Sequence, residues 1–127
     1  HFDRGSYRRH GEGLPLTSRD VRWFMSHHAP SGQWCDPRSA PVRLRKVTGC
    51  PPAWIATAEY DVPCDEGEAY VRALERGCVL AIYMRVPSLT LGVARLINDV
   101  PEAQAVVDAA ADDVRRVRLQ ARIVPNQ

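Results

Sequence analysis

The feature that most constrains this chain is a strand–helix–strand pattern between Ala53 and Val86. Ala53–Ala58 (AWIATA) is a short apolar run bounded by Pro52 and a turn, which reads as a buried strand. Asp65–Gly77 (DEGEAYVRALERG) reads as a helix, with acids in its first turn, arginine near its end and Gly77 as the stop. Tyr70, Ala73 and Leu74 form its expected inner face. Cys78–Val86 (CVLAIYMRV) is apolar at nearly every position and reads as a second strand. Strands joined through a helix run parallel with a right-handed crossover, and near-continuous apolarity suits strands covered on both faces. Two parallel strands do not make a stable sheet by themselves. The sequence offers further helices but no third convincing strand. Either another chain or segment completes the sheet, or the chain is marginal alone. The apolar second strand predicts an isolated chain that aggregates or is obligately paired.

The flanks are plainer. Residues 1–16 are rich in Gly, Arg and His without a period and are expected to be irregular. Thr17 and Asp20 form a capping-box start, followed by Val21, Phe24, Met25 and His28 at helical spacing and a stop before Pro30. Residues 30–52, with Pro30, Pro37, Pro41, Pro51 and Pro52, read as a long ordered loop. Pro101–Gln120 reads as a long helix with Pro101 in its first turn. Its expected packing stripe is Val106, Val107, Ala110, Val114 and Val117. Arg115, Arg116, Arg118 and Arg122 gather near its end as a solvated face that opposes the helix dipole. The boundaries are therefore one partial α/β domain over 1–127: irregular 1–16, helix and Pro-rich loop 17–52, βαβ unit 53–86, and C-terminal helix 101–120.

A net charge of +2, from 17 basic and 15 acidic residues, is too even to argue for nucleic acid or an acidic membrane surface. No apolar run reaches membrane-span length, and no signal-peptide pattern is present. Cys35, Cys50, Cys64 and Cys78 form no CxxC pair and have no histidine at zinc-ligand spacing. Reduced thiols, a cytoplasmic setting and no metal or other cofactor are expected. The sequence opens at His1 rather than Met, which leaves a fragment, a processed product or a trimmed chain open.

In open α/β sheets ligand groups gather beyond the carboxyl ends of the strands. Two loops occupy that rim here: Glu59–Cys64 after the first strand and Pro87–Gly92 after the second. An acid on the first and a base on the second would be neighbours, the geometry in which a carboxylate orients an imidazole for a serine nucleophile. Several stretches carry a resemblance. They are GLPLT before Trp23 and Phe24, DPRSAPV at Asp36–Val42, GCPPAWIATAEYD at Gly49–Asp61, DEGEAYVRAL at Asp65–Leu74 and PEAQ at Pro101–Gln104. In these, the segment from about Gly13 to Val117 resembles the C-terminal part of the hormone-sensitive-lipase-like esterases of the α/β-hydrolase fold.

The resemblance implies a C-terminal portion of that fold and makes Asp61 the triad acid. It also implies that Leu91 stands where the triad histidine belongs, because Gly92 matches the glycine of the family's His-Gly-Phe motif. Leucine cannot carry a proton. The family's Gly-Asp-Ser-Ala-Gly elbow and His-Gly-Gly oxyanion loop occur nowhere in the 127 residues. Other residues are weaker substitutes. Ser88 follows Pro87 rather than a strand-to-helix elbow, and His27 and His28 sit on the first helix. His1 and His10 lie in the segment expected to be irregular. Cys64 stands between the acids Asp61 and Asp65, which disfavour a thiolate. Asp61 can equally be an acid that caps the loop before the helix.

Two readings follow. In one, the chain is part of a split or multi-subunit serine-hydrolase-like protein acting on an ester or acyl substrate, with a protein partner supplying the N-terminal half. In the other, it is a non-catalytic subunit or a repurposed biosynthetic, cyclase-type binding protein.

Overall fold

The computed structural model describes residues 2–29 and 33–123, with the side chains of the last helix described as far as Val117. In chain order the elements are α1 (Gly5–His10), α2 (Ser18–His28), a 3-10 turn (Pro41–Arg43), β1 (Ala53–Tyr60), α3 (Cys64–Arg76), β2 (Ala81–Thr90), a second 3-10 turn (Val93–Arg95) and α4 (Pro101–Ile123). Contacts divide the chain after Leu91 into two units, 1–91 and 92–127.

The first unit is built on the expected βαβ pattern. β1 and β2 pair in parallel, from Ala53 opposite Ala81 to Ala58 opposite Val86. The pairing then slips, and Tyr60 meets Thr90. α3 lies against the strands and buries Cys64, Val71 and Leu74, which recur at helical spacing on one face. Val71 replaces the expected Ala73 at the centre of that face, and Tyr70 is half-buried. Leu74 packs with Val47 and Val79 in a core flanked by Cys50, Ala53, Ile55, Tyr70 and Ala81.

Gly67 and Gly77 permit this docking. A Cβ on Gly67 would run into Thr57 of β1, and one on Gly77 into the Val47 side chain. Gly77 follows α3, as its sequence suggests, but its φ of −86° is ordinary. The left-handed residue of the turn is Cys78, at φ 57°. That turn uses up Cys78 and Val79, whose amide donates to Leu74 O at 3.0 Å. β2 therefore starts at Ala81 rather than Cys78.

β2 also runs further than expected, through Pro87 to Thr90. Pro87 lacks an amide, and the slipped register absorbs it: Ser88 takes a left-handed φ of 59° and donates its amide to Glu59 Oε2 at 2.9 Å. The strands are not covered on both faces. Ala58 and Val86 are buried, most other strand positions are half-buried, and Leu80 just before β2 is exposed.

Residues 1–16 are not uniformly irregular. Within them α1 forms and docks on the start of α3 through polar bonds. Ser6 Oγ donates to Val62 O at 2.6 Å, Ser6 N to Asp65 Oδ2 at 2.8 Å, and Tyr7 Oη to Glu66 Oε2 at 3.1 Å. Arg9 adds an ion pair to Asp65 at 3.0 Å. Six residues are too few for a helix to hold by propensity, so these long-range bonds hold it. The capping box of α2 forms as read: Asp20 N donates to Thr17 Oγ1 at 3.1 Å and Thr17 N to Asp20 Oδ2 at 2.9 Å. α2 buries no residue, and Trp23 and Phe24 are more than half exposed.

The second unit opens on Gly92 in a left-handed conformation at φ 91° and continues through the 3-10 turn into α4. Pro101 takes the first position of α4. Ala103 and Val106 are buried, whereas Val114 and Val117 of the expected stripe are exposed. Arg115 and Arg116 are solvated and pair with Asp112 and Asp113 one turn back. The expectation for Arg118 and Arg122 falls on side chains outside the described set. Among the described residues, no helix is long and apolar enough to cross a membrane.

Candidate functional site at the carboxyl rim of the sheet

Parallel strands put their carboxyl ends on one side, so the residues leaving β1 and β2 share a rim. Tyr60 and Thr90 are the last paired residues, and Asp61 and Leu91 follow them directly. The rim position of both is therefore as the sequence places it. Asp61 is 9% exposed, and Leu91 is 45% exposed.

Among the described residues, the Asp61 carboxylate accepts one hydrogen bond, from Val62 N to Oδ1 at 2.9 Å. Burial raises its pKa; the Val62 amide and the positive charge of His10 oppose this without cancelling it. The loop behind Asp61 is fixed. Val62 is fully buried, its carbonyl is held by Ser6, and Cys64 N donates to Asp61 O at 3.3 Å. α1 thus braces the backbone that carries the acid.

The neighbours divide into those that can act at this rim and those that cannot. Cys64 is 1% exposed, with its thiol against Thr57 Oγ1 at 3.6 Å, and is closed to a substrate. Ser88 is exposed, but its amide is tied to Glu59. His27 sits on the surface of α2, stacked on Trp23 at 4.2 Å with Nδ1 2.8 Å from Trp23 O. His28 is exposed on the same helix, and His1 lies outside the described residues. Sequence reasoning set His10 aside, yet the structure brings it to the rim. Its ring meets Tyr60 edge-on at 5.7 Å, and its charge acts on Asp61. No local signal announced this, because the helix that carries it depends on contacts with residues far along the chain.

The next residues along are charged and engaged. Burial pushes Asp65 up, but the Ser6 amide and the Arg9 guanidinium outweigh it, and its pKa is lowered. Tyr7 is raised by burial and by Glu66. A separate groove of 350 Å³ between α1 and α2 is lined by Tyr7, Arg8, Arg9, Ser18 and Arg22, among others. Among the described residues, no group of three His, Cys, Asp or Glu side chains could hold a metal ion.

A model of the family described as alpha/beta hydrolase fold matches residues 2–94. The chain belongs to this family, in its hormone-sensitive-lipase-like esterase branch. It is 38% identical over 91 residues to the carboxylic ester hydrolase LipN of Mycobacterium tuberculosis, covering 69% of this chain and 24% of that protein. It is 31% identical over 102 residues to an ethyl acetate hydrolase of Pseudomonas putida, covering 79% of this chain and 32% of the other. Among solved structures it superposes on a thermostable esterase from Pseudomonas putida with a TM-score of 0.77 at 30% identity, over 83% of this chain and 34% of that one. The carboxylesterase EstE1, from a metagenomic library, gives a TM-score of 0.82 at 26% identity over 89% and 39%. The chain thus spans about a quarter to a third of the length of the curated relatives it matches. Its two parallel strands and flanking helices match part of the α/β-hydrolase fold.

Proposed function

We propose that this chain is the acid-bearing portion of a serine-hydrolase-like protein acting on an ester or acyl substrate. The rest of the sheet, the nucleophile elbow and the oxyanion loop come from another chain or segment. In this reading Asp61 holds the triad-acid position and Leu91 the histidine position. The observation that carries it is the placement of a buried carboxylate directly after β1, beside the first residue after β2. The relatives' names, ester hydrolases both, supply the reaction class. The half-covered strands fit a sheet continued by other segments. The setting is taken to be cytoplasmic.

The test is complementation. The chain is co-expressed with the N-terminal portion of the Pseudomonas putida ethyl acetate hydrolase, and p-nitrophenyl acetate hydrolysis is measured. Hydrolysis by the assembly, its loss on Asp61→Asn and a gain on Leu91→His support the reading. An assembly that forms, hydrolyses and ignores Asp61→Asn removes Asp61 from the reaction.

Leu91 favours a second reading. An apolar side chain at the rim, 45% exposed, offers contact area and no proton. On that reading the chain is a non-catalytic subunit, or a repurposed biosynthetic protein that holds its substrate without a triad. An assembly that stays inert even with Leu91→His would select it.

A further inference from the structure

β2 spends more residues than β1 in reaching the rim. Ala53 faces Ala81 and Ala58 faces Val86, an offset of 28 residues, whereas Tyr60 faces Thr90, an offset of 30. Had the first offset run on, Ser88 would stand opposite Tyr60, and Leu89 would arrive beside Asp61. The two residues taken up between Val86 and Thr90 bring Leu91 there instead. Side chains alternate between the faces of a strand, so a shift of two keeps the alternation and changes only which residue arrives. The slip in register therefore decides what meets the acid.

Two features of the slip belong to β2 itself. Pro87 has no amide to give to a neighbouring strand. Ser88 takes φ 59°, a left-handed conformation that disfavours any residue with a Cβ. The link to β1 is Glu59, whose Oε2 accepts the Ser88 amide at 2.9 Å. Glu59 stands between Ala58, the last residue paired before the slip, and Tyr60, the first paired after it. Its carboxylate thus ties the strained residue of β2 to the point in β1 where the register changes. A hydrogen bond to a carboxylate is charge-assisted and short. Glycine would hold the left-handed turn unaided; serine is held there from outside.

We propose that Glu59 is a positioning residue for the rim. By holding the Ser88 amide it fixes the two-residue slip that sets position 91, rather than 89, beside Asp61. This rests on the reading of Asp61 and position 91 as the acid and histidine places of an ester-cleaving site. Glu59 itself touches no substrate; it acts through the path of the loop that leaves β2.

Cross-strand NOEs on the isotope-labelled full chain read the register. Tyr60 and Thr90 should show them in the unaltered chain and in Glu59→Gln, whose amide keeps an acceptor oxygen. Glu59→Ala should lose them while those between Ala58 and Val86 persist and show the sheet to be folded. Tyr60–Thr90 NOEs retained in Glu59→Ala overturn the proposal. Should that variant fail to fold, hydrogen exchange of the unaltered chain decides. A Ser88 amide slowed by about tenfold or more supports the tie, and one exchanging at the unprotected rate overturns it.

In the complemented assembly carrying Leu91→His, Glu59→Ala should lower kcat for p-nitrophenyl acetate by about a hundredfold with KM little changed, as misplacing a reacting group does. Glu59→Gln should keep the rate. Full kcat with Glu59→Ala overturns the positioning role. If the NOEs respond to Glu59 as stated but Leu91→His confers no hydrolysis, the hold on the register stands and the ester-cleaving reading falls.

Discussion

Ser6→Ala tests whether α1 is a brace for the rim. The Ser6 side chain is fully buried and donates to the carbonyl of Val62, itself fully buried, at 2.6 Å. Alanine removes that donor, and no water can replace it in a closed site. A buried acceptor left unpaired costs about 1–3 kcal/mol. The amide of Ser6 keeps its bond to Asp65, so the loss is confined to the Val62 carbonyl and to the longer Asp65 N to Ser6 Oγ contact at 3.4 Å. Since each ~1.4 kcal/mol is a factor of ten in an equilibrium, local opening of α1 from the rim should rise by about five- to a hundredfold. Amide hydrogen exchange reads this directly, as faster exchange at Tyr7, Cys64 and Asp65, with a urea midpoint shifted down by the same free energy. Ser26→Ala on α2 is the control, because its hydroxyl bonds Trp23 O at an exposed position where water can substitute. A Ser6→Ala chain that exchanges like the control would refute the brace, and with it the account of why a helix forms within residues 1–16.

Two further outcomes follow from the site and its support. Asp61 has a folded-state pKa above its unfolded value, because burial disfavours the charge. Its ionisation therefore costs stability above the folded pKa and nothing below the unfolded one. Asp61→Asn should melt higher than the unaltered chain at neutral pH, with the two curves converging as pH falls through the carboxylate range; a lower melting point at neutral pH would show the charge to be stabilising. Gly77→Ala sets two effects against each other: relief of unfolded-chain entropy worth about 0.4–1 kcal/mol, and overlap with Val47, a branched core side chain only 6% exposed, worth about 1–3 kcal/mol. The overlap should win, lowering the urea midpoint, and a raised midpoint would mean Val47 moves freely.

The legible parts of this chain are those where neighbours in sequence decide the outcome. β1 follows from AWIATA between a proline and a turn, α2 from Thr17 and Asp20, and the start of α4 from Pro101. The placement of Asp61 and Leu91 side by side needed only the parallel pairing that a helical crossover demands. The failures share a cause. α1 is held by bonds from Ser6 to Val62 and Asp65, partners on the far side of α2 and the Pro-rich loop, so no window around it contains its reason for existing. The contact of His10, on the same helix, with Tyr60 is hidden from the sequence for the same reason. β2 was displaced along the chain because Cys78, apolar in composition, adopts the left-handed turn conformation that composition assigned to Gly77. Gly77 is required for a different reason, the closeness of Val47, which no sequence period encodes.

The same logic explains the apolar positions that stay exposed. Cys78–Val86 reads as a strand buried on both faces, yet Leu80 is 62% exposed and most of β2 is half-covered. A strand's composition records the surfaces it meets in the whole fold, and this chain spans a third or less of its curated relatives. The exposed residues thus describe the proposed partner. At Leu80 and along the strand faces it must supply apolar cover. On the free side of β1 or β2 it must supply backbone donors and acceptors. At the rim, on the proposed reading, it must bring the nucleophile elbow and the oxyanion loop. A partner that met the first two demands and not the third would give a stable assembly without hydrolysis, so stability and activity in the complementation experiment report on different parts of the surface. Leu91 sits where those parts meet. Leu91→Ser should weaken assembly if the leucine serves as cover, and should leave assembly unchanged if its side chain meets nothing there.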